Sequence, residues 1–348
     1  MLQGRTPWGI FYAQPRAGKK PSGPGYLLMK RGKKPMMETV VEIELAVGEK
    51  LAIKRNRILP LKKTDESRRI SIVSGIHGDE LEGQYVCYEV ARRILEHPEY
   101  LHGIVDIYPA INPLGLEAAQ RFVPNWDMDM NCLFPGRKDG NMMERIAAAV
   151  VESIAGSDIC VDVHASDKAV REIPQVRLGE EFAEKMLPYA KLMNVDMIWM
   201  NATATVREST LAYSMNILGV PTLVVEMGMG MRINKSFGNQ VAEGIFNLMK
   251  EMDIWSGNVK QTQFPAVSTD GEVEFIRAKC EGVFLSCIAH NHYVHKGDLI
   301  GQIVNTFTGK IKQEIRAPKD GLVFTLREYP MVYEGALLAR ILMDIEHE

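Results

Sequence analysis

The sequence predicts an α/β domain followed by a smaller all-β domain. Between residues 70 and 252, short apolar runs alternate with segments whose apolar residues fall at helical spacing. This alternation is typical of a mostly parallel central sheet with helices on both faces. Beyond residue 268 the helical spacing stops, and a pattern of about 39 residues occurs twice. The length of 348 residues supports two domains, since it exceeds the size at which a single core usually stops growing.

Residues 1–37 form a basic leader. They hold eight lysine or arginine residues and no acid, so the remaining chain carries a net charge of about −11 by subtraction from the total of −3. Such a segment could contact nucleic acid or another anionic surface. Its frequent glycine and proline residues and its lack of aromatic-basic interleaving favour a disordered leader instead, and Met36 or Met37 could mark the natural start.

Cysteine usage and hydropathy indicate the compartment. The five cysteines are odd in number and form no C-x-x-C pair, which argues against a disulfide framework and against a thiolate zinc site. No apolar stretch approaches the ~18 residues that a membrane helix needs, and no cleavable signal sequence is recognisable. We therefore expect a cytoplasmic protein that acts on a small molecule, without a membrane or nucleic-acid partner.

The α/β part, residues 38–255, opens with a short β lead-in in which apolar and polar residues alternate. Its strands are predicted at 70–74, 104–108, 158–163, 196–200 and 221–225, and its helices after Glu80 and at 141–155, 179–193, 207–218 and 238–252. Loop 110–140 exceeds the ~12 to 15 residues usual for a plain connection, which is typical of a functional loop. Ligands of such sheets gather where the strands end.

The C-terminal part, residues 256–348, begins with a linker at 256–268 and continues as a duplicated β-structure. Ala278-x-x-x-Gly282 recurs as Ala317-x-x-x-Gly321. The duplication resembles the biotinyl/lipoyl-type barrel, which would make Lys310 a cofactor-bearing residue. The acceptor motifs of those barrels are absent around Lys310. We therefore interpret this part as a barrel-like structural or oligomerisation module and expect a homo-oligomer.

Three residues that follow predicted strands have the character of metal ligands. His77 and Glu80 come directly after strand 70–74, and His164 ends strand 158–163. Two imidazoles and a carboxylate, with one position left open for water, are the ligand set of a catalytic zinc. Alone, Glu80 could be a helix cap and His164 a hydrogen-bonded core histidine. Together they predict a metal site, with Asp162 as an outer carboxylate because it faces the same side of the strand as His164.

Glu226 is the candidate general base. It ends the apolar strand 221–225, and Gly228 allows a tight exit from that strand. Hydrolysis needs a carboxylate that takes a proton from the attacking water and passes it to the leaving group. The alternative interpretation is a helix cap or a surface carboxylate.

Five motifs in order resemble the succinylglutamate desuccinylase/aspartoacylase family, which is related to the zinc carboxypeptidases. The resemblance extends over residues 40–345 and is carried by Gly75-Ile-His-Gly-Asp-Glu-Leu-Glu-Gly83, Asn112-Pro-Leu-Gly115, Asp129-Met-Asn-Cys-Leu-Phe-Pro-Gly136, Asp162-Val-His164 and Pro221-Thr-Leu-Val-Val-Glu-Met-Gly228. It implies a zinc-carboxypeptidase-like fold and hydrolysis of a small N-acyl amino acid. It also implies one zinc ion on the positions of His77, Glu80 and His164, with Glu226 as the base.

The substrate side of the family pattern differs here. Where the family usually has an arginine that grips a substrate carboxylate, this chain has Cys132, and a thiol cannot replace a bidentate guanidinium. Arg121 matches the other loop arginine of the family and is predicted to polarise the scissile carbonyl. Asn131 and Arg171 are further candidates for substrate binding, and Asp127 could favour a cationic substrate.

Three functions remain open at this stage. The favoured one is a zinc amidohydrolase that releases an acyl group from a small N-acyl amino acid or amine. A metallocarboxypeptidase acting on short peptides would use the same metal residues, but it needs a clamp for the terminal carboxylate. A non-catalytic zinc-binding or assembly protein would follow if the thiol of Cys132 closed the open metal position.

Overall fold

The computed structural model describes residues 36–64, 66–201, 209–260 and 264–343. The predicted leader therefore lies outside the described residues, except for Met36 and Met37, which begin the first strand. Within the described ranges, no helix is long and apolar enough to cross a membrane.

Among its described residues, the α/β part contains eight strands and six α-helices, most of them where the sequence predicts them. In chain order they are β1 (Met36–Glu44), β2 (Lys50–Ile58), β3 (Arg69–Ser74), α1 (Glu82–Glu96), β4 (Ile104–Tyr108), α2 (Pro113–Ala118), α3 (Met142–Ile154), β5 (Ile159–Ala165), β6 (Val170–Gly179), α4 (Glu180–Ala190), β7 (Met197–Asn201), α5 (Leu211–Ile217), β8 (Thr222–Gly228) and α6 (Lys235–Glu251). The functional loop 110–140 holds α2 and a short 3-10 helix, Met130–Cys132.

Among its described residues, the C-terminal part consists of strands, their connections and one short 3-10 helix, Asp270–Glu272. Its strands are β9 (Ala266–Thr269), β10 (Val273–Arg277), β11 (Gly282–Ser286), β12 (His292–Val294), β13 (Leu299–Asn305), β14 (Lys310–Arg316), β15 (Gly321–Arg327), β16 (Met331–Val332) and β17 (Leu337–Met343). Strands β11 to β13 and β15 to β17 form two successive triplets. The triplets exchange partners, since β12 pairs with β15 and β16 pairs with β11.

One 13-stranded sheet joins the two parts, with the path β1-β2-β4-β3-β5-β8-β6-β15-β17-β10. Its centre is parallel, because β3 pairs in parallel with both β4 and β5, and β5 with β8. The α/β prediction is therefore confirmed, but the sheet as a whole is mixed. Strand β6 is antiparallel to β8, and β15 is antiparallel to β6. A second sheet, β14-β13-β11-β16, is antiparallel and lies within the C-terminal part.

Strand β6 was not predicted, and its sequence explains why. It carries Pro174 and the charged residues Arg171, Glu172 and Arg177, which are depleted in buried strands. Proline is tolerated in a sheet at a bulge, and the register between β6 and β8 shifts between Glu172 and Gln175, where Pro174 lies. The strand brings buried charge into the centre of the molecule.

Helices cover both faces of the sheet, as the sequence predicts. On one face, residues of α1, α4 and α6 pack against the side chains of Ile70, Ile72 and Val161. On the other face, residues of α3 and α5 pack against Val73 and Cys160. Successive side chains of a strand point to opposite faces, so Asp162 and His164 share the face of Cys160.

A buried carboxylate in β4 joins the neighbouring strands β2 and β3. The carboxylate of Asp106 in β4 is fully buried and accepts two hydrogen bonds of 2.7 Å from Arg57 and one of 2.7 Å from Arg69. Bidentate guanidinium pairs of this kind fix geometry as well as charge. The β lead-in is thereby locked onto the parallel core.

Candidate active site

The segment between β3 and α1 turns sharply because of its glycines. Gly75 has φ +68° and packs against the backbone of Pro109, while a Cβ on Gly78 would lie 1.9 Å from the carbonyl carbon of Gly115. A side chain at either position would therefore meet backbone atoms. This close approach to α2 places His77 and Glu80 at the carboxyl end of β3, beside the end of β5.

Glu80 lies between the two histidines. Its Oε1 is 2.7 Å from Nδ1 of His77, and its Oε2 is 2.9 Å from Nδ1 of His164. The ligand atoms of His77, Glu80 and His164 all lie within 4.8 Å of one another, and all three residues are buried. The three predicted metal ligands are thus brought together as a cluster that could hold a metal ion.

Two further carboxylates contact the outer nitrogens of the histidines. Oδ1 of Asp129 is 3.1 Å from Nε2 of His77, and Oδ2 of Asp162 is 3.1 Å from Nε2 of His164. A carboxylate at Nε2 holds the proton there and leaves the Nδ1 lone pair free for a metal. The donor set therefore fits a cation, and Asp162 takes the outer position that the sequence predicts.

The cluster concentrates positive charge on the imidazoles. Burial opposes protonation of His164, but the charges of Asp162 and Glu80 outweigh it and raise its pKa well above the ordinary value. The pKa of His77 is raised as well, since its hydrogen bonds to Asp129 and Glu80 outweigh burial. Burial works against ionisation of Glu80, yet the charge of His164 and both imidazole hydrogen bonds lower its pKa. Such surroundings attract a cation, whether a proton or a metal.

Glu226 lies in the same cavity, which has a volume of about 460 Å³. It is the cross-strand neighbour of His164, because β5 and β8 pair in parallel at these residues. Burial raises the pKa of its carboxyl to about 7, and the nearby guanidinium of Arg177 only partly offsets this effect. Oε1 of Glu226 is 3.5 Å from Nη1 of Arg177. A carboxyl with a pKa near neutrality is suited to both accepting and donating a proton.

Loop 110–140 supplies one wall of the cavity. Nη1 of Arg121 donates a hydrogen bond of 3.0 Å to Oε1 of Glu80, and Asn131 and Cys132 also line the cavity. Oδ1 of Asn131 accepts a hydrogen bond from the backbone N–H of Leu211, so this side chain also fixes the start of α5. The thiol of Cys132 is free and exposed.

Two of the candidate residues lie elsewhere. Arg171 lines a separate cavity, contacts Glu328 at 3.3 Å and stacks over the ring of Phe237. It points away from the metal cluster because it is adjacent in β6 to Glu172, and neighbouring strand residues face opposite sides. Asp127 is exposed, with φ +49°, and the residues that line the cavity do not include it.

Five charged residues that line the cavity were not among the candidates named from the sequence. Asp129 and Asp167 are two of them, and the other three lie on strands. Glu172 and Arg177 belong to β6, and Arg340 belongs to β17 of the C-terminal part. The alternation of Gln175-Val176-Arg177-Leu178 was the available signal for Arg177, and no comparable pattern surrounds Glu172. No local signal identifies Arg340, because the pairing of β15 with β6 brings the C-terminal strands to the cavity.

The chain is similar to known proteins of one family. A family model described as the succinylglutamate desuccinylase/aspartoacylase catalytic domain matches residues 66–252, more than half of the chain. The N-alpha-acetyl-L-2,4-diaminobutyric acid deacetylase of Halomonas elongata is 25% identical over 301 residues, which are 82% of this chain and 84% of that protein.

Solved structures share the fold. The product-bound ectoine utilization protein EutE (DoeB) from Ruegeria pomeroyi has a TM-score of 0.75 at 20% identity, covering 92% of this chain and 98% of that chain. A succinylglutamate desuccinylase from Silicibacter sp. TM1040 has a TM-score of 0.74 at 19% identity, covering 88% and 94%. At these identities the two structures establish the common fold alone.

Proposed function

Because the chain belongs to the succinylglutamate desuccinylase/aspartoacylase family, we propose that it is a zinc-dependent amidohydrolase that removes the acyl group from a small N-acyl amino acid. The observation that carries this proposal is the buried cluster of His77, Glu80 and His164 in one cavity with Glu226. The deacetylase activity named for the Halomonas elongata relative supports acyl removal. The mixed α/β sheet is compatible with a zinc-carboxypeptidase-like fold.

One zinc ion per chain would be held by Nδ1 of His77, the carboxylate of Glu80 and Nδ1 of His164. Two nitrogen ligands and one oxygen ligand are typical of zinc hydrolases. When bound, zinc lowers the pKa of a coordinated water and polarises a carbonyl. Cys132 lines the cavity but is not part of the cluster, which disfavours a closed, non-catalytic site.

Glu226 moves the proton in this proposal. Its carboxylate takes a proton from the attacking water and then gives it to the departing amine nitrogen. The pKa of about 7 supports both roles, because the group can gain and lose a proton near neutral pH. Without this transfer the amine would leave as an anion, which is far too basic to be expelled.

Arg121 is assigned to the carbonyl oxygen. Its guanidinium lies at the mouth of the cluster, 3.0 Å from Glu80, and it offers further N–H donors to charge that develops on the substrate. A fixed donor at that point stabilises the tetrahedral state more than the ground state. Asn131 and Cys132 would form the adjacent wall that contacts the substrate.

A hydrolysis screen tests the activity. N-acetyl, N-succinyl and longer N-acyl amino acids would be compared with short peptides, with the Glu226→Gln protein as the blank. We expect release of free amino acid from at least one N-acyl amino acid, and none above background from the Glu226→Gln protein. Cleavage of peptides alone would instead indicate a metallocarboxypeptidase. The five free cysteines fit a reducing compartment, and we propose a cytoplasmic location.

Metal content tests the ligand assignment separately. The purified protein should contain about one zinc per chain, and His77→Ala should lose most of it, because removing one of three protein ligands leaves a two-ligand site. Elemental analysis of both proteins measures this directly. Full zinc retention by His77→Ala would contradict the ligand set.

A further inference from the structure

Two guanidinium groups lie side by side in the cavity, around one carboxylate. Nη2 of Arg177 donates a hydrogen bond of 2.8 Å to Oε2 of Glu172, and Nη1 of Arg340 donates to Oε1 of the same carboxylate. Both guanidinium carbons lie 5.5 Å from the ring centroid of Trp199. Glu172 is itself buried and also accepts a hydrogen bond from Thr325.

The protein supplies too few acceptors for these two side chains. Each guanidinium carries five N–H donors, and Glu172 receives one from each. Within the described part of the chain, the buried Nε atoms of Arg177 and Arg340 have no hydrogen-bond partner. Arg177 is only 9% exposed, so water cannot fully compensate. Buried donors without acceptors are costly and call for a partner.

Charge points the same way. The two arginines bring two positive charges to the cavity. Once Glu226 has accepted the proton of the attacking water, Glu172 is the carboxylate that remains to neutralise one of them. Of the other acids nearby, Glu226 contacts Arg177 at 3.5 Å, and Asp167 is exposed, with a carboxylate that accepts backbone N–H groups. Planar guanidinium groups pair bidentately with carboxylates. We propose that Arg177 and Arg340 bind a substrate carboxylate on the amino-acid side of the scissile amide.

The position of Glu226 indicates that the bound carboxylate lies on the amino-acid side of the scissile amide. Under the proposed function, on which this inference rests, Glu226 must come within hydrogen-bond reach of the departing nitrogen. In an amino acid, the carboxylate carbon is two bonds from that nitrogen, roughly 2.5 Å away. Since Glu226 is 3.5 Å from Arg177, a carboxylate near the departing nitrogen falls beside Arg177. A carboxylate at the end of the acyl group would lie on the far side of the scissile bond.

The other described arginines near the site are engaged elsewhere in this proposal, Arg121 at the carbonyl oxygen and Arg171 outside the cavity. Arg121 is bound to Glu80 and lies 3.6 Å from Asp129, and Arg171 faces a separate cavity. Arg340 comes from β17, so the C-terminal part contributes a binding residue to the active site. The substrate class is therefore an N-acyl amino acid with a free carboxylate, rather than an N-acyl amine.

Binding can be measured without turnover in the Glu226→Gln protein. Calorimetric titration would compare N-acetyl-L-amino acids with their neutral carboxamides, and N-succinylisopropylamine would carry the only carboxylate on the acyl side. We expect the acids to bind about 10- to 100-fold more tightly than their carboxamides, as for charge-assisted hydrogen bonds. Equal affinity for acid and carboxamide would refute the proposal without any variant at the arginines.

Variants at Arg340 then test whether the preference for the acid over the carboxamide depends on this residue. In the Glu226→Gln background, Arg340→Gln should abolish the preference for the acid, and Arg340→Lys should retain part of it, because lysine keeps the charge but not the fork. Arg316→Gln is the matched control, since Arg316 lies on β14 and pairs with exposed Glu314. An equal affinity loss for N-succinylisopropylamine would place the site on the acyl side and refute the proposal. Retained acid preference without turnover in the parent enzyme would refute only the proposed reaction.

Discussion

Replacing Glu226 by glutamine should make the metal-free protein more stable. The same substitution should remove the activity of the metal-bound protein. Burial raises the pKa of Glu226 from 4.5 to about 7, so the folded state holds the proton more tightly than the unfolded chain does. Folding therefore becomes less favourable as pH rises from about 4.5 to about 7, and the loss persists above that range. Glutamine keeps the shape of the protonated carboxyl and cannot ionise.

The magnitude follows from the size of the shift. Each pKa unit corresponds to 1.36 kcal/mol, so the ionised carboxylate costs about 3 kcal/mol at pH 8 and about 1 kcal/mol at pH 5. Glu226→Gln should recover about that much at each pH. This is large against a typical domain stability of about 5 to 15 kcal/mol.

Urea unfolding at pH 5 and pH 8 measures the difference. The protein must be treated with chelator, because a cation in the cluster of His77, Glu80 and His164 would favour the ionised form of Glu226. Glu251→Gln, an exposed carboxylate at the end of α6, is the control and should change stability by less than about 0.5 kcal/mol at either pH. The argument would be refuted if Glu226→Gln did not raise the free energy of unfolding at pH 8, or if the increase at pH 5 were as large as the increase at pH 8.

Three further substitutions test other parts of the structure. Asp162→Asn should weaken zinc affinity about 10- to 100-fold in a competition with a chromogenic chelator, because His164 loses the carboxylate at its Nε2. Gly78→Ala should lower the free energy of unfolding by about 1 to 3 kcal/mol in urea, since the new Cβ would lie 1.9 Å from the carbonyl carbon of Gly115. Asp106→Ala should cost about 3 to 5 kcal/mol by the same measurement, because it leaves the partly buried Arg57 and Arg69 without the buried carboxylate that pairs with them.

Matched controls make these outcomes specific. Gly271→Ala adds a Cβ with nothing within 4 Å, so a loss equal to that of Gly78→Ala would contradict the steric argument. Glu42→Gln removes an exposed partner of Lys50 and should change stability by no more than about 1 kcal/mol. Unchanged zinc affinity in Asp162→Asn would show that His164 is oriented by other contacts.

The cluster of His77, Glu80 and His164 was predictable because the sequence features that determine it are local. His77 and Glu80 are three residues apart, and His164 and Glu226 each follow a short apolar run that is typical of a buried strand. Parallel strands end at the same edge of a sheet, so residues at their ends converge without any knowledge of loops. The same argument identifies Asp162, which shares the face of His164 by the two-residue period of a strand.

The orientation of the Arg171 side chain could not be predicted in the same way. Its distance from His164 in sequence made it a candidate, but its orientation depends on the unpredicted strand β6. A shift of one residue in a strand reverses the face on which a side chain lies. Glu172 therefore enters the cavity and Arg171 does not. Pro174 and the surrounding charges hide the strand, because proline and charged residues are depleted in buried strands.

Arg340 is a second residue whose position could not be predicted from the sequence. It illustrates why substrate specificity is harder to predict than the type of reaction. Reaction type depends on a few groups at the ends of neighbouring parallel strands, whose order follows the chain. Under the proposed role of Arg340, specificity depends on the antiparallel pairing of β15 with β6, a contact between residues that are more than 150 positions apart. Nothing in the local sequence of β17 distinguishes Arg340 from a surface arginine. Its partner Glu172 does carry a signal, since a buried acid in a central strand requires a cation from somewhere else in the fold.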